Sequence, residues 1–457
     1  MSKYCSKPEK IYPQNTTGYF RKIKWLSSAI FLAIFFLCPY LRYFRTQDLP
    51  NQAILIDIPN SRAFFFFIEI WPQEVYYIAS LLIISAIALF LITALWGRVW
   101  CGYSCPQTVW TDIFIAIERL FQGDRNQRIL LDRRPFFNPK KLTKKTLTHI
   151  SWLIFSFITG IGFVSYFTNA PTLINNLINF NISYIQAGWI SGIAISTYVM
   201  AGFARANVCN HMCPYSRFQS AMFDEETLII SYNEKRGEPR GSLKTENTGH
   251  CINCNQCVTV CPQGIDIRDG LQMECIACGL CIDACNNIME KVNLPKDLIA
   301  YDTLSNLNKP VKKLKLLRPR TIYYAATLAV AISITTATLV NKSTTNFTAL
   351  PNYTPRYVLM SNGNISNSFY LKITNKTYQD QTYRLKIDGL KNYNLKFANP
   401  HYQKDNIKIK ANKVQEIKIY LQTSKQNLST QQTPINLTII DEKNQEYQNK
   451  AIFSNAH

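Results

Sequence analysis

The chain has 457 residues, 47% of them hydrophobic and 13% aromatic, with 50 Lys and Arg against 29 Asp and Glu for a formal charge of +21. So basic a balance suits nucleic acid or an anionic membrane surface; uncharged windows of about twenty residues favour the membrane, and the absence of any base-reading module argues against nucleic acid. Fourteen cysteines, twelve of them from Cys101 to Cys285, exclude the evenly spread framework of a disulfide-stapled secreted domain.

Segment 1–24 carries Lys3, Lys7, Lys10, Arg21, Lys22 and Lys24. Five runs then approach the ~20 apolar residues that a spanning helix needs: 25–41, 75–95, 150–168, 184–203 and 321–340. No small-residue cleavage site follows the first, only Cys38-Pro39-Tyr40-Leu41-Arg42, so it reads as a retained helix rather than a signal peptide. The run 63–71 is too short to span, is interrupted by Glu69, and is expected at the interface. Asp57, Glu69 and Glu74 are expected to be solvated loop charges.

Basic residues crowd the N-terminus and the connection 97–149, whereas the first inter-span loop has Asp48, Asp57, Glu69 and Glu74, with Arg62 alone after its opening turn. The positive-inside rule makes the N-terminus, the 97–149 connection and 204–320 cytoplasmic. Five spans then put 341–457 outside. That tail alternates apolar and polar residues in short runs at 357–360, 368–373, 382–387, 406–409, 415–421 and 435–440. Turn signals such as Asn362-Gly363-Asn364 and Asp388-Gly389 separate the runs. About seven short strands predict an immunoglobulin-like sandwich or another small β barrel.

The division is therefore 1–24 N-terminal segment, 25–203 four-helix membrane region, 204–320 with a ferredoxin domain near 245–290, 321–340 fifth span and 341–457 β domain. The fold class is a polytopic α-helical membrane protein with a ferredoxin-like domain and an all-β tail.

Cys251-x2-Cys254-x2-Cys257-x3-Cys261-Pro262 is followed by Cys275-x2-Cys278-x2-Cys281-x3-Cys285. Three thiolates at two-residue gaps wrap one cube of iron and sulfide, and the fourth reaches across to the other cube. This pattern predicts two [4Fe–4S] clusters, one on Cys251, Cys254, Cys257 and Cys285, the other on Cys275, Cys278, Cys281 and Cys261. A pair of zinc sites is the plainer alternative. Gly264, Gly270 and Gly279 suit tight backbone around sulfide.

A second pattern repeats: Cys101-x3-Cys105-Pro106 and Cys209-x3-Cys213-Pro214, each just past a span. Residues four apart share a helix face, so the two pairs predict a soft four-sulfur site at the membrane surface, which selects Cu(I) over harder ions; buried packing cysteines are the alternative. His211 adds a ligand or caps a helix end, and Met212 is expected to pack. Arg98 and Arg205 are expected to anchor span ends, Cys38 to pack in its span, and Cys5 to be a solvent-exposed thiol.

Nearly the whole chain resembles the CcoG/FixG/RdxA-type cytochrome c oxidase accessory proteins. The resemblance lies in 52–59 (QAILIDIP), 97–110 (GRVWCGYSCPQTVW), 236–241 (RGEPRG), 261–268 (CPQGIDIR) and 274–278 (ECIAC). It implies a role in assembling cbb3-type oxidase by reducing Cu(II) to Cu(I), a periplasmic immunoglobulin-like tail, and oxidase subunits or a copper-transporting ATPase as partners in the bacterial inner membrane. Two positions depart from the family pattern: His211 replaces a tyrosine and Asn286 an aspartate. The competing readings are a quinol-linked relay, like the ferredoxin-type membrane subunits of nitrate reductase systems, and a copper chaperone or assembly scaffold. The electron donor is not named by the residues.

Overall fold

The computed structural model describes residues 10–45, 49–242, 248–307, 315–361, 363–428 and 431–455; Lys3, Cys5, Lys7, Asp48 and the Asn362 turn position lie outside them. The chain divides into two units, Met1–Thr335 and Thr336–His457.

Among the described residues, five helices are long and apolar enough to cross a membrane. The first is α1 (Tyr19–Leu37). It begins six residues before the expected span, so Arg21, Lys22 and Lys24 belong to the helix and not to a flanking segment. The physical reason is pairing: Lys24 Nζ lies 3.0 Å and Arg21 Nη1 3.5 Å from the Asp112 carboxylate, with both cations buried. The helix start is held by Asp283, whose carboxylate accepts from the backbone N–H groups of Phe20 (3.2 Å) and Arg21 (2.8 Å).

The run expected at the interface forms part of an antiparallel sheet, β1 (Ile54–Asp57), β2 (Arg62–Phe65) and β3 (Ile68–Ile70), in that order. Glu69 in this sheet and Glu74 just after it are not solvated, contrary to expectation. Glu69 is buried against Arg62 at 3.2 Å, and buried Glu74 accepts from the backbone N–H of Trp71.

The second long helix is α2 (Tyr76–Trp96), and the chain then turns through α3 (Val99–Tyr103), α4 (Pro106–Gln122) and α5 (Arg125–Arg133). The third, α6 (Pro139–Val164), starts eleven residues before its expected span, because Asn138 caps it by accepting from the Lys141 N–H and Pro139 suits a first turn. A short α7 (Ala170–Ile178) leads to the fourth, α8 (Tyr184–Val199). A Cβ on Gly160 would stand 2.5 Å from the Ile190 carbonyl, so a glycine lets α6 and α8 approach backbone to backbone. Trp152 stacks on Phe114 at 5.2 Å and donates from its indole N–H to the Phe114 carbonyl, tying α6 to α4.

Beyond α8 lie α9 (Pro214–Met222), β4 (Ile229–Tyr232), the short α10 (Glu234–Gly237) and α11 (Gln256–Thr259), α12 (Leu280–Lys291), β5 (Ile299–Asp302), which pairs with β4, and α13 (Leu304–Leu307). The fifth long helix, α14 (Pro319–Val340), meets α2 where the Ser80 and Thr335 hydroxyls hydrogen bond at 2.8 Å.

The second unit is a sandwich of two antiparallel sheets. One runs β10 (Tyr393–Phe397), β12 (Lys413–Ser424), β8 (Asn364–Asn375), β6 (Thr345–Pro351), with β7 (Val358–Leu359) also on β8. The other runs β11 (Ile407–Ile409), β9 (Gln381–Asp388), β13 (Gln432–Ile440), β14 (Glu446–Ser454). Alternate residues of β8, β9, β12 and β13 face one core, with Phe369, Leu371, Tyr383, Ile419 and Leu437 fully enclosed. Strands β6, β10 and β14 go beyond the expected set.

The Asp112 cluster makes a direct prediction. Asp112→Asn strips buried Lys24 and Arg21 of their counter-charge, which costs about 3–5 kcal/mol. Thermal unfolding in detergent should show a fall of several degrees, whereas Lys22→Gln, which the Asp112 pairing does not involve, should cause no comparable change.

Candidate functional site

The ferredoxin cysteines fall into two groups. The sulfur neighbours within electrostatic reach of Cys285 are Cys257, Cys254 and Cys251. Those of Cys281 are Cys278, Cys275 and Cys261, with Cys257 last. A cavity is walled by Cys261, Cys275, Cys278 and Cys281, touches Cys257, and is otherwise lined almost wholly by Ile and Leu side chains. Among the described residues no three Cys, His, Asp or Glu side chains converge on a point as a single ion requires. Thiols spaced around an apolar cavity fit a cubane better than a mononuclear site. Gly264 and Gly279 adopt φ of +70° and +73°, which turns the backbone tightly at these loops. The amides of Gln263, Gly264 and Ile265 point at Cys261.

Burial pushes the Cys257 and Cys261 thiols up to about 11 and those of Cys275 and Cys285 to about 12, so the charge of bound iron is needed to hold these sulfurs as thiolates. Arg268 is buried beside the first group. It forks onto the Asp266 carboxylate at 2.6 Å and donates to the side-chain carbonyls of Asn253 (2.8 Å) and Asn255 (2.7 Å), its charge within reach of Cys257.

The two Cys-x3-Cys-Pro repeats have one geometry, and it is not the shared α-helical face expected of them. In each, the second cysteine's N–H reaches back five residues, Cys105 to the Trp100 carbonyl at 2.9 Å and Cys213 to that of Val208 at 2.8 Å. A hydroxyl seven residues after the first cysteine donates to its carbonyl: Thr108 to Cys101 and Ser216 to Cys209, both at 2.6 Å. Cys105 and Cys213 are then the N-caps of α4 and α9. The wide turn Val208–Met212 has π geometry, a departure common at functional sites. Each pair therefore sets one sulfur at the positive end of a helix dipole. Electrostatic reach links the four thiols as neighbours, Cys101 with Cys105 and Cys209, Cys105 with Cys213, and Cys209 with Cys105 and Cys213, but among the described residues no three of them converge on one point. Burial raises the Cys101 thiol to about 12 and that of Cys209 to about 11.

The first pair is docked on the second group of ferredoxin cysteines. A Cβ on Gly102 would stand 2.7 Å from the Ile276 carbonyl and 2.9 Å from that of Ala277. The Tyr103 hydroxyl donates to the Cys278 carbonyl at 3.0 Å, and Cys101 packs against the apolar cluster to which Ile276 and Cys278 belong.

Arg98, 5% exposed, does more than anchor a span end. It donates to the Met273 and Ser216 carbonyls, and its charge acts on Cys101, Cys209 and Cys275 together. Gln219 of α9, fully buried, accepts from the Cys101 thiol at 3.5 Å. Neither role carries a motif; the signals were a buried-span arginine and a glutamine one turn after the Ser216 hydroxyl. Arg205 pairs with Glu118 at 3.0 Å. His211 and Met212 are exposed, so Met212 does not pack in the core, and Cys38 is half-buried. Asn286 exchanges hydrogen bonds with Asp297 (3.1 and 2.8 Å), an arrangement that an aspartate at 286 would turn into facing carboxylates.

Residues 204–304 match the family described as a 4Fe-4S dicluster domain, 78–123 that described as a 4Fe-4S binding domain, and 335–455 that described as the IG-like fold at the C-terminus of FixG. Protein RdxA of Cereibacter sphaeroides is 42% identical over 387 residues, covering 83% of this chain and 82% of its own. Nitrogen fixation protein FixG of Rhizobium meliloti is 37% identical over 420 residues, 84% and 80%. Ferredoxin-type protein NapH of Haemophilus influenzae is 23% identical over 221 residues, 45% and 66%.

Proposed function

The chain belongs to the family of RdxA and FixG and is a membrane iron–sulfur electron-transfer protein, and on that premise we propose that it reduces Cu(II) to Cu(I) for the assembly of cbb3-type cytochrome c oxidase. The observation that carries this reading is the docking of the repeated Cys-x3-Cys-Pro site onto the loop of Cys275 and Cys278. In this reading Cys251, Cys254, Cys257 and Cys285 hold one [4Fe–4S] cluster and Cys275, Cys278, Cys281 and Cys261 the other. When bound, these clusters supply one-electron reduction at low potential.

The remaining chemistry belongs to side chains. Cys101, Cys105, Cys209 and Cys213 receive copper; thiolate sulfur binds Cu(I) more favourably than Cu(II), so the site itself favours the reduced ion. The N-terminal dipoles of α4 and α9 and the Arg98 guanidinium stabilise the thiolates that copper requires. Thr108 and Ser216 fix the first cysteine of each pair through its carbonyl. Positive-inside logic puts this surface and the N-terminus in the cytoplasm of a bacterial inner membrane and the β sandwich in the periplasm, where it would meet oxidase subunits or a copper-transporting ATPase.

The test is anaerobic Cu(II) reduction by the purified, chemically reduced protein, read with a Cu(I)-specific chelator. Stoichiometric copper binding without turnover would overturn the reading in favour of a scaffold. The partial match to NapH keeps a quinol-linked relay as the second reading; quinol-dependent cluster reduction in membranes would favour it.

Arg268→Gln should lower the potential of the cluster on Cys251, Cys254, Cys257 and Cys285 by on the order of 50 mV, since a buried cation beside a cluster favours the added electron. An EPR-monitored redox titration reads this shift, and the second cluster should move less.

A further inference from the structure

A cavity of about 470 Å³ opens beside Cys209. Copper alone does not need such a space, which falls in the range of small-molecule pockets. Its walls join the two parts of the site already described. Cys209 lies on one side, and Pro262, Gln263 and Ile276, next in sequence to Cys261 and Cys275, lie on the other.

The charge of this chamber has the wrong sign for a free metal cation. Lys10, Lys24, Lys145 and Arg205 line it against two carboxylates, Asp112 and Glu118. Groups packed behind the wall do not reverse the balance. Asp132 accepts from Lys10 and Lys145 at 2.7 Å each, while Arg21 and Arg128 add two cations behind Asp112 and Glu118. Four cations thus line the chamber against two carboxylates, and the groups behind the wall leave the excess positive, with His149 as a further titratable wall residue. Lys24, 1% exposed, pairs with Asp112 at 3.0 Å yet its buried Nζ makes no hydrogen bond among the described residues. The Gln263 side-chain oxygen, also buried and lining the chamber, is an acceptor in the same condition. A ligand that suits both carries anionic oxygens for the lysines and a hydroxyl for the glutamine.

We propose that this chamber receives copper as an anionic hydroxycarboxylate chelate rather than as a free ion, and presents it to Cys209. The proposal rests on the cupric-reductase reading, and its test separates the two. Binding of citrate and of the Cu(II)–citrate complex to the full-length protein in detergent is measured by isothermal titration, beside a cationic complex, Cu(II)–bis(ethylenediamine). Citrate and its copper complex should bind, and Lys10→Gln combined with Lys145→Gln should weaken both about tenfold. Affinity of the unaltered protein for citrate should also fall as NaCl is raised, which needs no variant to fold. Binding of the cationic complex should be no weaker in the double variant.

Equal citrate affinity in both proteins, or wild-type preference for the cationic complex, overturns the chamber. Reduction rates on the same complexes report separately on the parent reading: citrate binding with no reduction of any copper complex removes cupric reduction and leaves an anion chamber standing.

Discussion

Serine at all four of positions 101, 105, 209 and 213 should abolish Cu(II) reduction, lowering the rate at least about a hundredfold, while both ferredoxin clusters remain visible by EPR. The expectation follows from softness: hydroxyl oxygen does not prefer Cu(I) as thiolate does, so the site loses both affinity and driving force. Folding should survive, because the contacts that shape the repeats are made by backbone. The five-residue N–H bonds of Cys105 and Cys213, and the Thr108 and Ser216 bonds to the cysteine carbonyls, use no sulfur. Single replacements sort the four by role. Cys101→Ser also disturbs the hydrogen bond to Gln219, so it is expected to be the most damaging of the four. Retained reduction in the quadruple variant would mean that copper is reduced elsewhere on the chain.

What could be read from the residues was what depends on local spacing. The ferredoxin runs encode their own geometry, because two-residue gaps are enough to wrap a cubane, and the apolar spans declare themselves by length. Long-range pairing was not legible. Arg21 and Lys24 look like a basic flank until Asp112, about ninety residues away, is seen to neutralise them inside the fold. The sheet β1–β3 is not legible in the sequence because its second turn is made at Phe66, with φ of +51°, a residue that carries no turn signal. The cysteines of the two Cys-x3-Cys-Pro motifs are visible as a repeat, but their wide turns are not, since Cys-x3-Cys is equally compatible with an ordinary helix. Arg98 and Gln219 are single residues whose position depends on how α3, α9 and the 273–278 loop come together. In the β sandwich, β14 runs through Gln448, Asn449 and Lys450 without an apolar residue between them, which blurs its alternation, whereas β10 alternates cleanly as Tyr-Asn-Leu-Lys-Phe but is only five residues long.

Gly102 is where these levels meet, and its replacement is the second large effect expected. The position needs a glycine because of close approach, not because of an unusual backbone angle. Valine here would drive a side chain into the Ile276 and Ala277 carbonyls, which already stand 2.7 and 2.9 Å from where a Cβ would be. The carbonyls belong to backbone beside Cys275 and Cys278 and cannot rotate away, so the two surfaces must separate. The Tyr103 bond to the Cys278 carbonyl then lengthens, and Arg98 can no longer bridge the Met273 and Ser216 carbonyls. Copper affinity should change little, since all four cysteines remain on their own turns. Cluster content should also hold, since no ferredoxin ligand is touched. What falls is the rate of Cu(II) reduction, by about tenfold or more, with Gly102→Ala intermediate. Measuring copper affinity, iron content and reduction rate on the same preparations separates this outcome from unfolding. A Gly102→Val protein that binds copper and reduces it at the parental rate would show that the docked surfaces do not govern the activity.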